Sequence, residues 1–166
     1  MNVSFSTRGW QQIPWEQQVQ MAETMRFGGV ELYNVHKTPE LTGRGGPLHR
    51  YTAAATSRDP WQKGLCIPCL DTACDIAGED CTETVTALMQ LAHDVQCPYV
   101  SVTAQRDDDA RISAALEALL PAAEAQGITI LLKTSGVFSD TARLRALLDA
   151  FACDQLGALW DMHHPY

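Results

Sequence analysis

Residues 99–132 read YVSVTAQRDDDARISAALEALLPAAEAQGITILL, and the order of patterns in this stretch decides the fold. It opens on Tyr99 to Thr103, a short run of β-branched and aromatic residues with strand character. Asp107, Asp108 and Asp109 follow, three carboxylates placed where the positive end of a helix dipole favours them. Ile112, Ala115, Leu116, Leu119 and Ala123 recur three or four apart, the spacing of one buried helical stripe. Pro121 predicts a kink or a split in that helix, because it has no N–H to donate and crowds the preceding turn. Gly127 supplies a stop, and Ile128 to Leu132 is again a strand. Strand, helix and strand in this order make a βαβ unit, whose two strands run parallel.

Toward the N-terminus the unit repeats. Val3 to Ser6 reads as a first strand, and a loop leads to Pro14, well placed at a helix start. Trp15, Val19, Ala22 and Met25 carry the buried side of a helix running to about Phe27, with Gly28-Gly29 as its left-handed stop. Val30 to Tyr33 is the second strand. Asn34 to Arg50, rich in glycine, proline and basic residues, reads as a long βα loop. A helix from about Tyr51 is weakened by Pro60. Leu65 to Leu70 is the third strand, and a polar loop with Asp71, Asp75, Glu79 and Asp80 leads to a helix with inner stripe Val85, Leu88, Met89, Ala92 and Val95.

Toward the C-terminus, Ser139 or Asp140 can cap a helix buried through Leu144, Leu147, Leu148 and Phe151. Gly157 is its expected end, and Ala158 to Trp160 a sixth strand that delivers Asp161. Six units in 166 residues is about 28 per unit, close to the roughly 31 of an eight-unit barrel. The pattern predicts an α/β protein: a partial (β/α)8 barrel of about six parallel units in one domain over 1–166, its strands in sequence order, helices outside and the last two units missing. An open doubly wound sheet shares the local pattern, but Ser6-Thr7-Arg8-Gly9-Trp10 lacks the glycine-rich cradle for a dinucleotide.

Twelve Lys and Arg against twenty Asp and Glu give a net charge of -8, which disfavours a nucleic-acid partner. No export signal or membrane-length apolar run appears, so the expectation is a cytoplasmic protein without a membrane partner. Cys66, Cys69, Cys74, Cys81, Cys97 and Cys153 then read as small reduced thiols. Cys66 and Cys69 form a CxxC pair, but no second pair completes a zinc site.

Barrel chemistry gathers at the C-terminal ends of the strands. That rule selects Arg8 and Trp10, Asn34 and His36, Asp71, Gln105, Lys133, and Asp161, His163 and His164. Asp161-Met162-His163-His164 is the strongest local constellation, read equally as part of a divalent-metal site, as an Asp–His hydrogen bond or as two histidines simply solvated. His36, Asp71, Asp161 and His164 are expected to converge on one end of the sheet.

The stretches VSFSTRGW, GVELYN, GITILLKTSG and above all GALWDMHHPY resemble those of xylose-isomerase-like sugar phosphate isomerase/epimerase barrels, across essentially the whole chain. The resemblance implies a divalent ion (Mn, Mg or Zn) that holds adjacent sugar oxygens while carboxylates move a proton between carbons. It assigns Asp161 as a metal ligand and catalytic carboxylate, and His164 as the histidine that contacts substrate beside the metal. Lys133 stands where the family pattern has a metal-binding glutamate. Glu31 matches a glutamate near the end of strand two, read either as catalytic or as a structural carboxylate. Trp10, Arg8, His36, Asp71, Lys133 and His163 are the expected substrate contacts.

A protonated lysine repels a divalent ion, so metal is expected to be weak or absent; Lys133 either pairs with Asp161 or extends into solvent. The implied function is that of an isomerase or epimerase acting on a small sugar or sugar phosphate, inactive or impaired as this chain alone. The alternative is a non-catalytic remnant or interaction module, self-associating or completed by a partner chain, because open strand edges are association sites. An abasic-site endonuclease is a third reading, opposed by the acidic balance.

Overall fold

The computed structural model describes residues 2–162. Its six strands are β1 (Ser4–Ser6), β2 (Gly29–Tyr33), β3 (Cys69–Asp75), β4 (Tyr99–Thr103), β5 (Thr129–Lys133) and β6 (Leu156–Leu159). They form one sheet in the order β1-β2-β3-β4-β5-β6, each neighbour pair parallel. Between them lie α1 (Trp15–Thr24), three short helices α2 (Pro39–Thr42), α3 (Ala53–Thr56) and α4 (Arg58–Gln62), then α5 (Cys81–Asp94), α6 (Asp109–Gln126) and α7 (Thr141–Phe151).

Sequential order carries the architecture. Parallel crossovers are right-handed, so a sheet whose strands never reverse their order places every crossover on the same face. The strand residues bear this out. Val30, Leu32, Leu70, Val100, Val102, Ile130 and Leu132 are fully buried on the helix side. Glu31, Asp71, Ser101 and Lys133 alternate with them onto the other face. Ser101 and Asp71 are themselves buried although no helix among the described residues covers that face, because the sheet curls around it as a partial β/α barrel.

The helices pack by the predicted stripes. Val85, Leu88, Met89, Ala92 and Val95 of the α5 segment are buried, and α5 packs on β3, β4 and α6. Each large side chain there contributes about 1.5–3 kcal/mol relative to exposure. Asp108 caps α6 by accepting the Arg111 N–H at 3.0 Å. Asp140 caps α7 through the N–H groups of Ala142 and Arg143. Asp107 and Asp109 also grip Arg143 of α7, joining two helix starts.

Several boundaries differ from the sequence reading. α1 ends at Thr24 with Met25 exposed, and Arg26 rather than Gly28 takes the left-handed conformation. Gly29 instead belongs to β2, where a Cβ would lie 2.6 Å from the Cys66 carbonyl oxygen. The third strand is Cys69–Asp75, not Leu65 to Leu70. Pro68 has no N–H for the ladder, so regular pairing starts after it, and Leu65 and Ile67 are buried in the lead-in.

The helix expected from Tyr51 is two short pieces, with Pro60 in the first turn of α4, where its missing N–H costs nothing. Pro121 does not split α6, which runs unbroken over 18 residues. α7 ends at Phe151, and Ala152 after it, with φ 42°, makes the left-handed stop assigned to Gly157; Gly157 lies in β6 beside Leu131. No helix among the described residues is long and apolar enough to cross a membrane.

Candidate functional site

Parallel strands in register deliver their C-terminal ends to one rim, and there the chain forms a polar pocket of about 370 Å3. Arg8 comes from the 3-10 turn after β1, Tyr33 from β2, Asp71 and Ala73 from β3, Thr103 from β4 and Lys133 from β5. Gln105, Ser135 and Gly136 line it from the following loops, and Asp161 from beyond β6.

Lys133 and Asp71 form an ion pair at the heart of this rim. The Lys133 side chain is 15% exposed and that of Asp71 only 3%. Asp71 is oriented by a local irregularity: Ala73 has φ 53°, the β3–β4 register shifts between Asp71 and Asp75, and the Ala73 N–H donates to Asp71 Oδ1 at 3.0 Å. Its other oxygen, Oδ2, takes the Lys133 ammonium. A strand running straight on would have no such N–H turned back toward the carboxylate.

Cys69 lies below the pair on the same face. Burial pushes its thiol up to about 12; the neighbouring carboxylates of Glu31 and Asp71 act in the same direction and Lys133 opposes them. The thiol therefore stays protonated and does not neutralise the lysine. Asp161 is placed by its own N–H, which donates to Thr134 Oγ1 at 2.8 Å, while the Thr134 N–H donates to Leu159 O. Arg8 lies over the Tyr33 ring, 5.2 Å from its centre, and the Tyr33 N–H donates to Thr7 Oγ1 at 2.9 Å.

Of the sequence-derived candidates, the structure brings Arg8, Asp71, Lys133 and Asp161 together with Gln105. Lys133 is bonded to Asp71, where the sequence had offered Asp161 or solvent. Asp71 belongs to β3 rather than to the loop after it.

His36 departs from the group. It follows β2 and so lies at the same end of the sheet as Asp71 and Asp161, as expected, but it sits in a 3-10 turn against α5, in a groove with Leu48, Arg50, Glu83, Leu88 and Leu91, and does not line the rim pocket. Burial and then the Lys37 charge lower its pKa, and its buried Nδ1 has no hydrogen-bond partner among the described residues. Trp10 stacks on Phe5 with ring centres 4.5 Å apart and does not line the pocket. Glu31 is paired in register with Ser6, near enough to Cys69 to act on it but off the pocket wall. His163 and His164 lie outside the described residues. Tyr33, Thr103 and Ser135 were missed; the signal for the first two was that each is the last residue of its strand.

Among the described residues no three His, Cys, Asp or Glu side chains converge as a metal cage. The residues present fit a divalent ion poorly. Asp71 already holds an ammonium, and that ammonium would face the ion from the side where a ligand is needed.

No family model matches the sequence, and no curated protein matches it. Solved structures do. The probable 3-DHS dehydratase AsbF of Bacillus anthracis is 20% identical at a TM-score of 0.75, over 97% of this chain and 63% of that one. The IOLI protein, whose structure holds a zinc atom, is 14% identical at 0.77, over 100% of this chain and 64% of its own. An AP endonuclease, family 2, from Brucella melitensis is 14% identical at 0.70, over 99% and 70%. These likenesses show the fold, that of a β/α barrel. The chain spans less than two thirds of the length of the first two.

Proposed function

We propose that this chain, built as six units of a xylose-isomerase-like barrel, is the larger part of a sugar isomerase or epimerase that takes a small sugar or polyol at the C-terminal rim of its sheet. The observation that carries the reading is the convergence on one pocket of Tyr33, Thr103 and Lys133 from the ends of β2, β4 and β5, Asp71 from within β3 and Asp161 from beyond β6. At about 370 Å3 it falls within the range of small-molecule sites, roughly 300–1,000 Å3. Its wall offers hydroxyl, ammonium, guanidinium, amide and carboxylate groups, the set that many adjacent hydroxyls require.

In this reading Asp161 takes up or returns the proton moved between carbons, and Lys133 with Arg8 holds the oxygens. Activity of these 166 residues alone is expected to be low, because the neighbouring barrels extend over more than a third of their length beyond the part matched here. The acidic balance favours a small ligand over a DNA duplex, although one structural neighbour is an AP endonuclease.

The test is ligand-observed NMR with a panel of aldoses, ketoses and their phosphates. Binding that is lost in Asp161→Asn and in Lys133→Met supports the proposal. Binding indifferent to both variants, or no binding, overturns it. Tighter binding to an abasic DNA duplex than to any sugar moves the assignment to the endonuclease class.

A second reading rests on the sheet edges. Among the described residues β1 and β6 each have one strand neighbour, and Trp160 and Met162 just beyond β6 are exposed. The occupant that fits is a segment carrying two further parallel β/α units, in keeping with the greater length of the neighbours.

A further inference from the structure

We infer that Lys133 is the resident cation of this pocket: its ammonium, fixed by Asp71, grips the oxygens of the bound ligand, and the site works without a divalent ion. The inference rests on the sugar-binding reading for the ligand, but its core, the exclusion of metal, stands on the ion pair itself.

Lys133 ends β5 and is directed across the sheet to Asp71, a carboxylate with 3% exposure. Both Asp71 oxygens are committed, Oδ1 to the Ala73 N–H and Oδ2 to the ammonium. A metal ion arriving here would have to displace the ammonium from a buried carboxylate, leaving a positive charge stranded beside a dication. Repulsion at such separations grows as the surroundings lose water. The pocket therefore selects against a metal before any question of ligand number arises.

An ammonium has three donors, and among the described residues Lys133 has one hydrogen bond, to Asp71. The remaining donors open to the pocket that Tyr33, Thr103, Arg8 and Asp161 surround. They can meet two adjacent oxygens of a polyol or hydroxycarbonyl compound.

The experiment titrates Mn2+ against the whole chain, with the free ion read by electron paramagnetic resonance. The parent should show no saturable site. Lys133→Glu should gain one saturable site and lose it again when combined with Asp161→Asn. Lys133→Gln, which removes the charge without adding a ligand, should bind more than the parent and serves if the glutamate variant does not fold.

A parent that binds one Mn2+ tightly and loses it in Asp71→Asn overturns the inference. So does a folded Lys133→Glu or Lys133→Gln that gains nothing. Any sugar binding found by NMR should survive EDTA, and its loss on chelation likewise overturns the inference. If no sugar binds at all, the functional reading fails while the Mn2+ arm still decides this one.

Discussion

Lys133 and Asp71 are 62 residues apart in sequence and sit on β5 and β3, yet their charged groups meet across the intervening strand β4. Register makes the meeting possible. Asp71 pairs with Ser101 and Ser101 with Leu131, so Lys133 lies one same-face step farther along its strand and its long side chain spans the gap.

Removing the carboxylate should be costly because the lysine would be left without its partner. Asp71→Asn is expected to lose about 3 kcal/mol in urea unfolding, the range for breaking a buried pair. The double variant Asp71→Asn, Lys133→Met should recover most of that, since no charge remains buried. A double variant no more stable than the single one would show that the pair is not what Asp71 contributes.

The thiols give a pH dependence with a definite sign. Burial pushes Cys69, Cys81 and Cys97 up to about 12 from an ordinary value of 9. Below pH 9 both folded and unfolded states keep these protons and the thiols add no slope. Between about 9 and 12 the unfolded chain releases protons that the folded chain holds, so stability should fall as pH rises. Thiol labelling at pH 8 should modify exposed Cys66 well before these three, and labelling at equal rates would contradict the packing.

Gly29 is a position where no side chain fits. A Cβ there would meet Cys66 O at 2.6 Å, Cys66 Sγ at 2.8 Å and Ser4 Oγ at 2.9 Å. Gly29→Ala should cost about 1–3 kcal/mol through forced separation of β1, β2 and the lead-in to β3. Unchanged thermal stability would mean that the strands are not in this register.

Assembly should follow from the open edges. The chain is expected to self-associate at micromolar concentration in sedimentation, and to become more stable when co-expressed with a segment of two further β/α units. A monomer that unfolds cooperatively, indifferent to such a segment, would show that the six-unit sheet closes its own core.

The repeat was legible because local chemistry writes it. β4 lies where its apolar run placed it, Tyr99–Thr103, and the α5 stripe from Val85 to Val95 is buried as its spacing requires. β3 was misread for an equally local reason. Its apolar part looks like a strand up to Leu70, whereas Asp71 to Asp75 looks like a loop because Asp71 turns to the polar rim and Asp75 accepts the Gln105 N–H. Polarity there reports the site and hides the strand. His36 lies outside the rim pocket because following a strand does not say which side of a loop a side chain takes.

The sequence by itself determined the alternation of strand and helix, the six units and the rim residues Arg8, Asp71, Lys133 and Asp161, since periodicity and position after a strand are properties of neighbouring residues. Only the tertiary structure decided that Lys133 bonds Asp71 and that His36 turns outward against α5. Those outcomes depend on the register of strands far apart in the chain and on the bulge at Ala73, and neither is encoded in any single stretch of residues.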